Sequence, residues 1–309
     1  MLLPLLLPPP PATRDPVGKP PPLMQIGILL STFVSPPLEA RLDAARAGGL
    51  EHVQLSLDCA GRPAMPDKIP PELAGRIRRE AAARRITIAS IQGTYNMSHP
   101  DAAQRESGLR RLQVLAGLGQ ELGVPRIHLG SGPRDRASRW RRHPDNDLPA
   151  AWQDMVASMR AAADIARQAG VIVAFKPEVN NVIDSASKAR RLLDEIGSPH
   201  LKVTMDAANL FHAGELPRMS EILDQAFALV GKDVVMAHAK DLDHDGDAGH
   251  QAAGEGKLDY DRYLPLLHSH GFKGPLFFHG LSEAQLPKCV AFLRAKLARV
   301  ASTSPSRDR

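Results

Sequence analysis

From residue 26 onward the chain alternates short apolar runs with longer segments of helical period. The runs are Ile26–Phe33, His52–Leu57, Thr87–Ile91, Arg126–Leu129, Val171–Phe175, Lys202–Met205, Val234–His238 and Pro275–His279, eight in all. They are rich in Val, Ile, Leu and Phe with little polar alternation, the pattern of strands buried on both faces of a parallel sheet. Between them lie helical stripes. After Pro149, the residues Trp152, Met155, Val156, Met159, Ala163 and Ala166 recur at i, i+3, i+4, i+7 spacing and form one apolar face. Ser282 with Gln285 makes a capping box for the last helix. Gly49, Gly123, Gly170, Gly197, Gly231 and Gly271 each stand just before a strand, where a closing helix calls for a left-handed residue, so six of the seven helix-to-strand joints are marked. Eight strand–helix units in residues 25–299 predict a single-domain α/β fold, a (β/α)8 barrel. An open doubly wound sheet is the alternative, but no G-x-G-x-x-G follows the first run.

Composition changes the picture mainly at the ends. Of the 309 residues 27 are proline, and nine of these fall in the first 22. Residues 1–24 read as a disordered, polyproline-like extension rather than a signal peptide, because Leu2–Leu7 contains Pro4, lacks a basic flank and runs into prolines without a small-residue cleavage site. Met24 just before the first strand makes an upstream start codon a plain explanation of residues 1–23, and residues 300–309 read as a disordered tail. The formal net charge of +5 falls to +3 once residues 1–24 and 300–309, each contributing +1, are set aside. That is too mild and too interspersed with acids to mark a nucleic-acid binder. No apolar run reaches the length of a membrane-spanning helix. Cys59 and Cys289 form no disulfide framework, which makes the reducing cytoplasm the expected compartment.

In a barrel of this kind, function collects where the strands end on their C-terminal side. Those ends carry Asn96 and His99 after the third run, His128 and Arg134 at and after the fourth, and Lys176 and Glu178 after the fifth. Asp206 and Asn209 follow the sixth, His238 and Lys240 the seventh, and His279 the eighth. Apolar strands seldom finish on His or Asp without a partner, so this convergence points to chemistry rather than packing.

The segments Gly93–Asp101, His143–Asp147, Met205–Gly214, His238–Asp241, Gly254–Tyr260 and Gly274–Leu281, taken in order, resemble the xylose-isomerase-like TIM barrel superfamily, in particular its sugar phosphate isomerase/epimerase group. The resemblance spans residues 25–299 and implies a divalent metal held by a Glu after strand five, an Asp after strand six, a His after strand seven and a Glu after strand eight. Asp206 and His238 match the second and third positions. The first falls on Lys176 and the fourth on His279, although the two glutamates are the residues that move the proton in the family's epimerases.

A protonated lysine cannot ligate a cation, but Glu178 lies two residues on, and positions i and i+2 of a strand share a face about 6.5 Å apart. The metal set expected on this basis is Glu178, Asp206, His238 and His279, suited to a first-row ion such as Mn, Co or Zn, with Mg also open. In that scheme Glu178 and His279 exchange the proton next to a carbonyl, and Asn96, Asn209, Lys240 and Arg134 orient hydroxyl or phosphate groups. The opposing reading has the Lys176 ammonium pairing with Asp206 and Glu178 in a metal-free mouth, and a Schiff base on Lys176 is a more remote alternative. The segment Arg134–Arg142 holds five arginines in nine residues and reads as an anion-clamping lid or a solvated basic loop, with Arg134 the nearest to a strand end. Asp241–Asp247 mimics a calcium loop, but Ala252 stands where its Glu would be.

The expected function is therefore a metal-dependent sugar or sugar-phosphate isomerase/epimerase working through an enediolate. An inosose-dehydratase-like lyase and a metal-free sugar-binding barrel are the alternatives. An endonuclease-IV-like repair enzyme is disfavoured by Asn209, where that family carries a His. The expected partner is a small-molecule sugar or sugar phosphate, with neither nucleic acid nor membrane, and a homo-oligomer remains open.

Overall fold

A computed structural model describes residues 24–34 and 37–303. The strands are β1 (Ile26–Leu29), β2 (His52–Leu55), β3 (Thr87–Gln92), β4 (Arg126–Gly130), β5 (Ile172–Lys176), β6 (Leu201–Met205), β7 (Val234–Asp241), β8 (Gln251–Ala252) and β9 (Leu276–Phe278). The helices are α1 (Leu38–Ala47), α2 (Pro71–Ala83), α3 (Ala102–Leu122), α4 (Pro149–Ala169), α5 (Ala186–Ile196), α6 (Met219–Val230), α7 (Tyr260–Ser269) and α8 (Leu286–Thr303). Eight parallel strands run in the order β6-β5-β4-β3-β2-β1-β9-β7, and β6 pairs with β7 to close the ring. This is the expected (β/α)8 TIM barrel. The two-residue β8 was not foreseen. It pairs antiparallel with the outer end of β7, Lys240 against Ala252 and Asp241 against Gln251, and extends that strand beyond the barrel rim.

Local signals account for most boundaries. Asp101 caps α3, its carboxylate accepting from the Ala103 N–H at 2.9 Å, and α4 starts on Pro149. Gly123, Gly170, Gly197 and Gly271 take the expected left-handed conformation before their strands. Gly231 does not. Its φ is −55°, and it is needed for space instead, because a Cβ there would lie 2.5 Å from the His270 ring. The joint without glycine, α2 to β3, turns on Arg85 at φ 54°. The Ser282–Gln285 capping box is present and opens a short 3-10 turn ahead of α8.

The main core lies between the strands and the helix ring, where Met155, Met159 and Ala163 of α4 are buried as their spacing predicted. A second, smaller cluster fills the barrel: Leu29, Ala89, Ala174, Met236 and Phe277. Phe277 fits because Gly27 opposite has no side chain; a Cβ there would come within 2.7 Å of the ring. Burying such a ring contributes about 1.5–3 kcal/mol. This apolar plug is the floor on which the mouth is built.

The ends differ from expectation. Met24, assigned from sequence to the extension, is fully buried, and the Gln25 N–H donates to the Lys273 carbonyl at 3.2 Å. α8 continues through residue 300 with Val300 buried, so the expected tail begins as helix. Residues 1–23 and 304–309 lie outside the described residues. Among the described residues no helix is long and apolar enough to cross a membrane.

Candidate active site

The mouth repeats the plug one period higher. Two residues beyond Ala174 comes Lys176, two beyond Met236 comes His238 and then Lys240, and two beyond Phe277 comes His279. Because alternate residues of a strand share a face, these three apolar plug residues each lift a polar one into the opening above. β6 contributes Asp206 just past its last residue.

Asp206 is the hub. Its Oδ2 lies 3.1 Å from His238 Nδ1, 3.3 Å from Lys176 Nζ, 3.4 Å from Lys240 Nζ and 3.6 Å from His279 Nδ1. Lys176 Nζ also lies 2.9 Å from Glu178 Oε2, which accepts a second bond from Asn209 Nδ2 at 3.0 Å. Asn209 is held in turn by the Gly249 N–H, which donates to Oδ1 at 2.9 Å. Gly249 is required for that approach, since a Cβ would sit 2.6 Å from the Ala208 Cβ and 2.7 Å from the Asp241 carbonyl. From outside the barrel, the Tyr260 hydroxyl donates to the Lys240 carbonyl at 2.9 Å, and the Tyr263 hydroxyl reaches the Met205 and His238 carbonyls at 3.2 Å each. These contacts pin the ends of β6 and β7.

Electrostatics follow from this packing. Burial opposes charge on Lys176, but Glu178 and then Asp206 outweigh it, and its pKa is raised, so the amine is an ammonium at neutral pH. Lys240 is pushed the other way, by burial and by the neighbouring Lys176 charge, with Asp206 only partly compensating. Burial would raise the Asp206 carboxyl, yet Lys240 and Lys176 hold it well below the usual carboxylate range. Burial keeps His128, His238 and His279 neutral, even with the Asp206 bond that favours charge on the last two.

Above the hub is a cavity of about 410 Å³, within the range of small-molecule sites. Lys176, Glu178, His238, Lys240 and the partly exposed His279 face it. Its lining also includes the uncharged polar residues Gln92, Thr94, Tyr95 and Asn181. Thr94 Oγ1, Tyr95 Oη and Asn181 Oδ1 are buried without a hydrogen-bond partner among the described residues. Arg139 and Trp140, stacked with the guanidinium 4.8 Å from the ring centre, form part of the rim.

Three expected contacts fall elsewhere. Arg134 turns away from the cavity, its Nη1 donating to Asp154 Oδ2 at 2.6 Å and to the Ser98 carbonyl at 3.1 Å, so Arg139 is the arginine of that segment at the mouth. Asn96 closes its own turn by accepting from the Ser98 N–H at 3.1 Å and does not line the cavity. Asn209 is fully buried beneath it and positions Glu178 rather than meeting solvent. Asp241 is likewise structural, its carboxylate accepting from the Leu242, Gly254 and Leu258 N–H groups at 2.8–3.0 Å. Of the residues that reasoning from sequence missed, Gln92 and Thr94 continue the two-residue period of β3 past Ser90, a signal that was available. His250, just ahead of β8, also lines the cavity.

A model of the xylose isomerase-like TIM barrel family matches residues 42–296. The chain belongs to that family. Members of known structure superpose over most of its length: a xylose isomerase domain protein from Planctomyces limnophilus has a TM-score of 0.71 at 19% identity, covering 91% of this chain and 99% of that one. A xylose isomerase-like TIM barrel protein from Mycobacterium smegmatis, solved in complex with magnesium, has a TM-score of 0.65 at 18% identity over 85% of this chain and 88% of the other. In sequence, the chain is 27% identical over 176 residues to a 2-epi-5-epi-valiolone 7-phosphate 2-epimerase of Actinoplanes sp. (strain ATCC 31044 / CBS 674.73 / SE50/110). That match takes in 57% of this chain and 59% of the relative's length.

The family context raises the question of a divalent ion. Ligand-type atoms of Asp206, His238 and His279 lie within 4.8 Å of one another, as three of the four expected ligands should, but Glu178 is outside that group. Glu178 and Asp206 instead share the Lys176 ammonium. An ion bridging both carboxylates would have to displace it, and breaking a buried pair so that one charge is left unmatched costs about 3–5 kcal/mol. As folded, the four expected ligands do not close on one ion, because the Lys176 ammonium takes up Glu178 and also touches Asp206.

Proposed function

We propose that this barrel is an isomerase or epimerase of a sugar or sugar phosphate, acting by proton transfer next to a carbonyl. The observation that carries the reading is one cavity with proton acceptors on two of its walls and lysine ammoniums between them. Glu178 follows β5 and His279 follows β9, three strands apart around the ring. The base removes the proton from the carbon beside the carbonyl, and the electron pair moves to the carbonyl oxygen to give an enediolate. Lys240 and Lys176, whose side chains face the cavity, stabilise the negative charge on that oxygen. Return of a proton to the opposite face gives the epimer, and return to the neighbouring carbon gives the isomer. Thr94, Tyr95 and Asn181, with their unpartnered polar atoms, suit the hydroxyl groups of a polyol, and Arg139 at the rim suits a phosphate. The name of the Actinoplanes relative, a 2-epimerase of a 7-phosphate, agrees with this reading.

The test is incubation of the protein with aldoses, ketoses and their phosphates in deuterated water, followed by NMR. Deuterium should enter at the carbon next to the carbonyl, with an epimer or isomer accumulating. His279→Gln should slow this by about 10²–10⁴-fold, the usual contribution of a positioned acid or base, without unfolding the protein. A dehydrated, ultraviolet-absorbing product would make the protein a lyase. Tight binding without any exchange would make it a sugar-binding barrel.

A further inference from the structure

The Lys176 side chain is about as buried as the two carboxylates that flank it, with 7% of its surface exposed against 4% for Glu178 and none for Asp206. Its strand is fixed in the sheet, Lys176 pairing with Gly130 of β4, so the amine is delivered from an inward-facing position next to the plug. Glu178 Oε2 is engaged by Lys176 and Asn209, and Asp206 Oδ2 by Lys176, Lys240 and His238. With both amines protonated, Lys176, Lys240, Glu178 and Asp206 sum to zero charge. An additional divalent ion would leave this buried group at +2. Held by two carboxylates, the Lys176 amine is also a poor nucleophile, which disfavours a Schiff base.

We propose that Lys176 is the resident cation of this mouth, a tethered positive charge in the place of a divalent ion, so that the site works without metal. Its catalytic use, facing the enediolate oxygen, rests on the isomerase reading above. Its occupancy of the cation position does not.

Metal retention separates the two. Full-length wild type, Lys176→Glu and Lys176→Glu/Asp206→Ala, each confirmed folded by circular dichroism, are stripped with chelator. They are then dialysed against Mn²⁺ and next against metal-free buffer, and Mn is counted by mass spectrometry. Wild type should retain none and Lys176→Glu about one ion per chain, and the double variant should lose it again. In a thermal melt, about 1 mM Mn²⁺ should raise the Tm of Lys176→Glu and leave wild type unmoved, because only a state that binds the ion is stabilised by it. Stoichiometric Mn in wild type that Asp206→Ala abolishes would overturn the proposal, as would a folded Lys176→Glu that gains none. Neither readout uses turnover, so an absence of isomerase activity would fall on the functional reading alone.

Discussion

Two aspartates at opposite ends of the barrel each gather lysine and other nitrogen donors, and they do so differently. Near the N-terminal ends of the strands, Asp233 accepts from Lys202 at Oδ1 (2.6 Å) and from Arg190 at Oδ2 (2.8 Å), so each oxygen has its own partner. At the mouth, Asp206 crowds four nitrogens around Oδ2 and leaves Oδ1 buried with no partner among the described residues. The first arrangement is complete and partly open to water, with 20% of the Asp233 side chain exposed. The second is fully buried and incomplete. A set of charges that serves only stability has no reason to leave an acceptor empty inside the protein, since an unsatisfied buried group costs about 1–3 kcal/mol. Asp206 therefore carries a cost that Asp233 does not.

The comparison is broken most directly by removing each aspartate. Asp206→Ala leaves the buried Lys240 without its carboxylate partner and Lys176 with Glu178 alone, and should lower stability by about 3–5 kcal/mol in urea titrations, with turnover lost. A loss below about 1 kcal/mol would mean that the hub is not an ion-pair centre. Asp233→Ala should cost only about 1 kcal/mol and leave turnover intact. Its pH dependence has a definite sign. Burial raises the Asp233 carboxyl, but Lys202 and Arg190 outweigh it and the folded pKa is lowered. The stabilisation is therefore complete above the unfolded carboxyl value of about 3.9 and fades as pH falls through the folded value. Wild type and Asp233→Ala should differ by a constant amount from neutral pH to about pH 5 and converge in stronger acid. The smallest effect belongs to the arginine segment. Arg139→Ala should raise KM by about two- to five-fold for a phosphorylated substrate, equivalent to about 0.5–1 kcal/mol. Arg134→Ala should leave KM alone and cost a similar amount of stability, because its partners are Asp154 and the Ser98 carbonyl. Equal KM effects would place both arginines at the mouth.

The barrel was legible because its signals are local and repeated: apolar runs, helical stripes and glycine stops all state one period. The mouth was legible as far as the two-residue period carries. Lys176, Glu178, His238, Lys240 and His279 do face one cavity, since a strand must place alternate residues on one side. The loops beyond the strands obey no such rule. Arg134, nearest its strand by sequence, is drawn off by Asp154, a residue of α4 that only the folded chain brings near, while Arg139 returns to the opening. Asn209 had the right address but the wrong depth, because nothing local revealed that Gly249, 40 residues on, would close over it. Ligand type alone also could not decide the metal question. The place of the Lys176 amine, between Glu178 and Asp206, bears on it and is visible only in the fold.

The rim also gives the molecule an optical handle. Of the two tryptophans, Trp152 is committed on the outer surface, its indole N–H donating to Glu195 at 3.0 Å and the Arg191 guanidinium 3.9 Å from its ring centre. Trp140 is half exposed and borders the cavity. In a Trp152→Phe background the intrinsic fluorescence would come from a single indole at the entrance, and quenching or a blue shift on titration would report a sugar entering before any product is known.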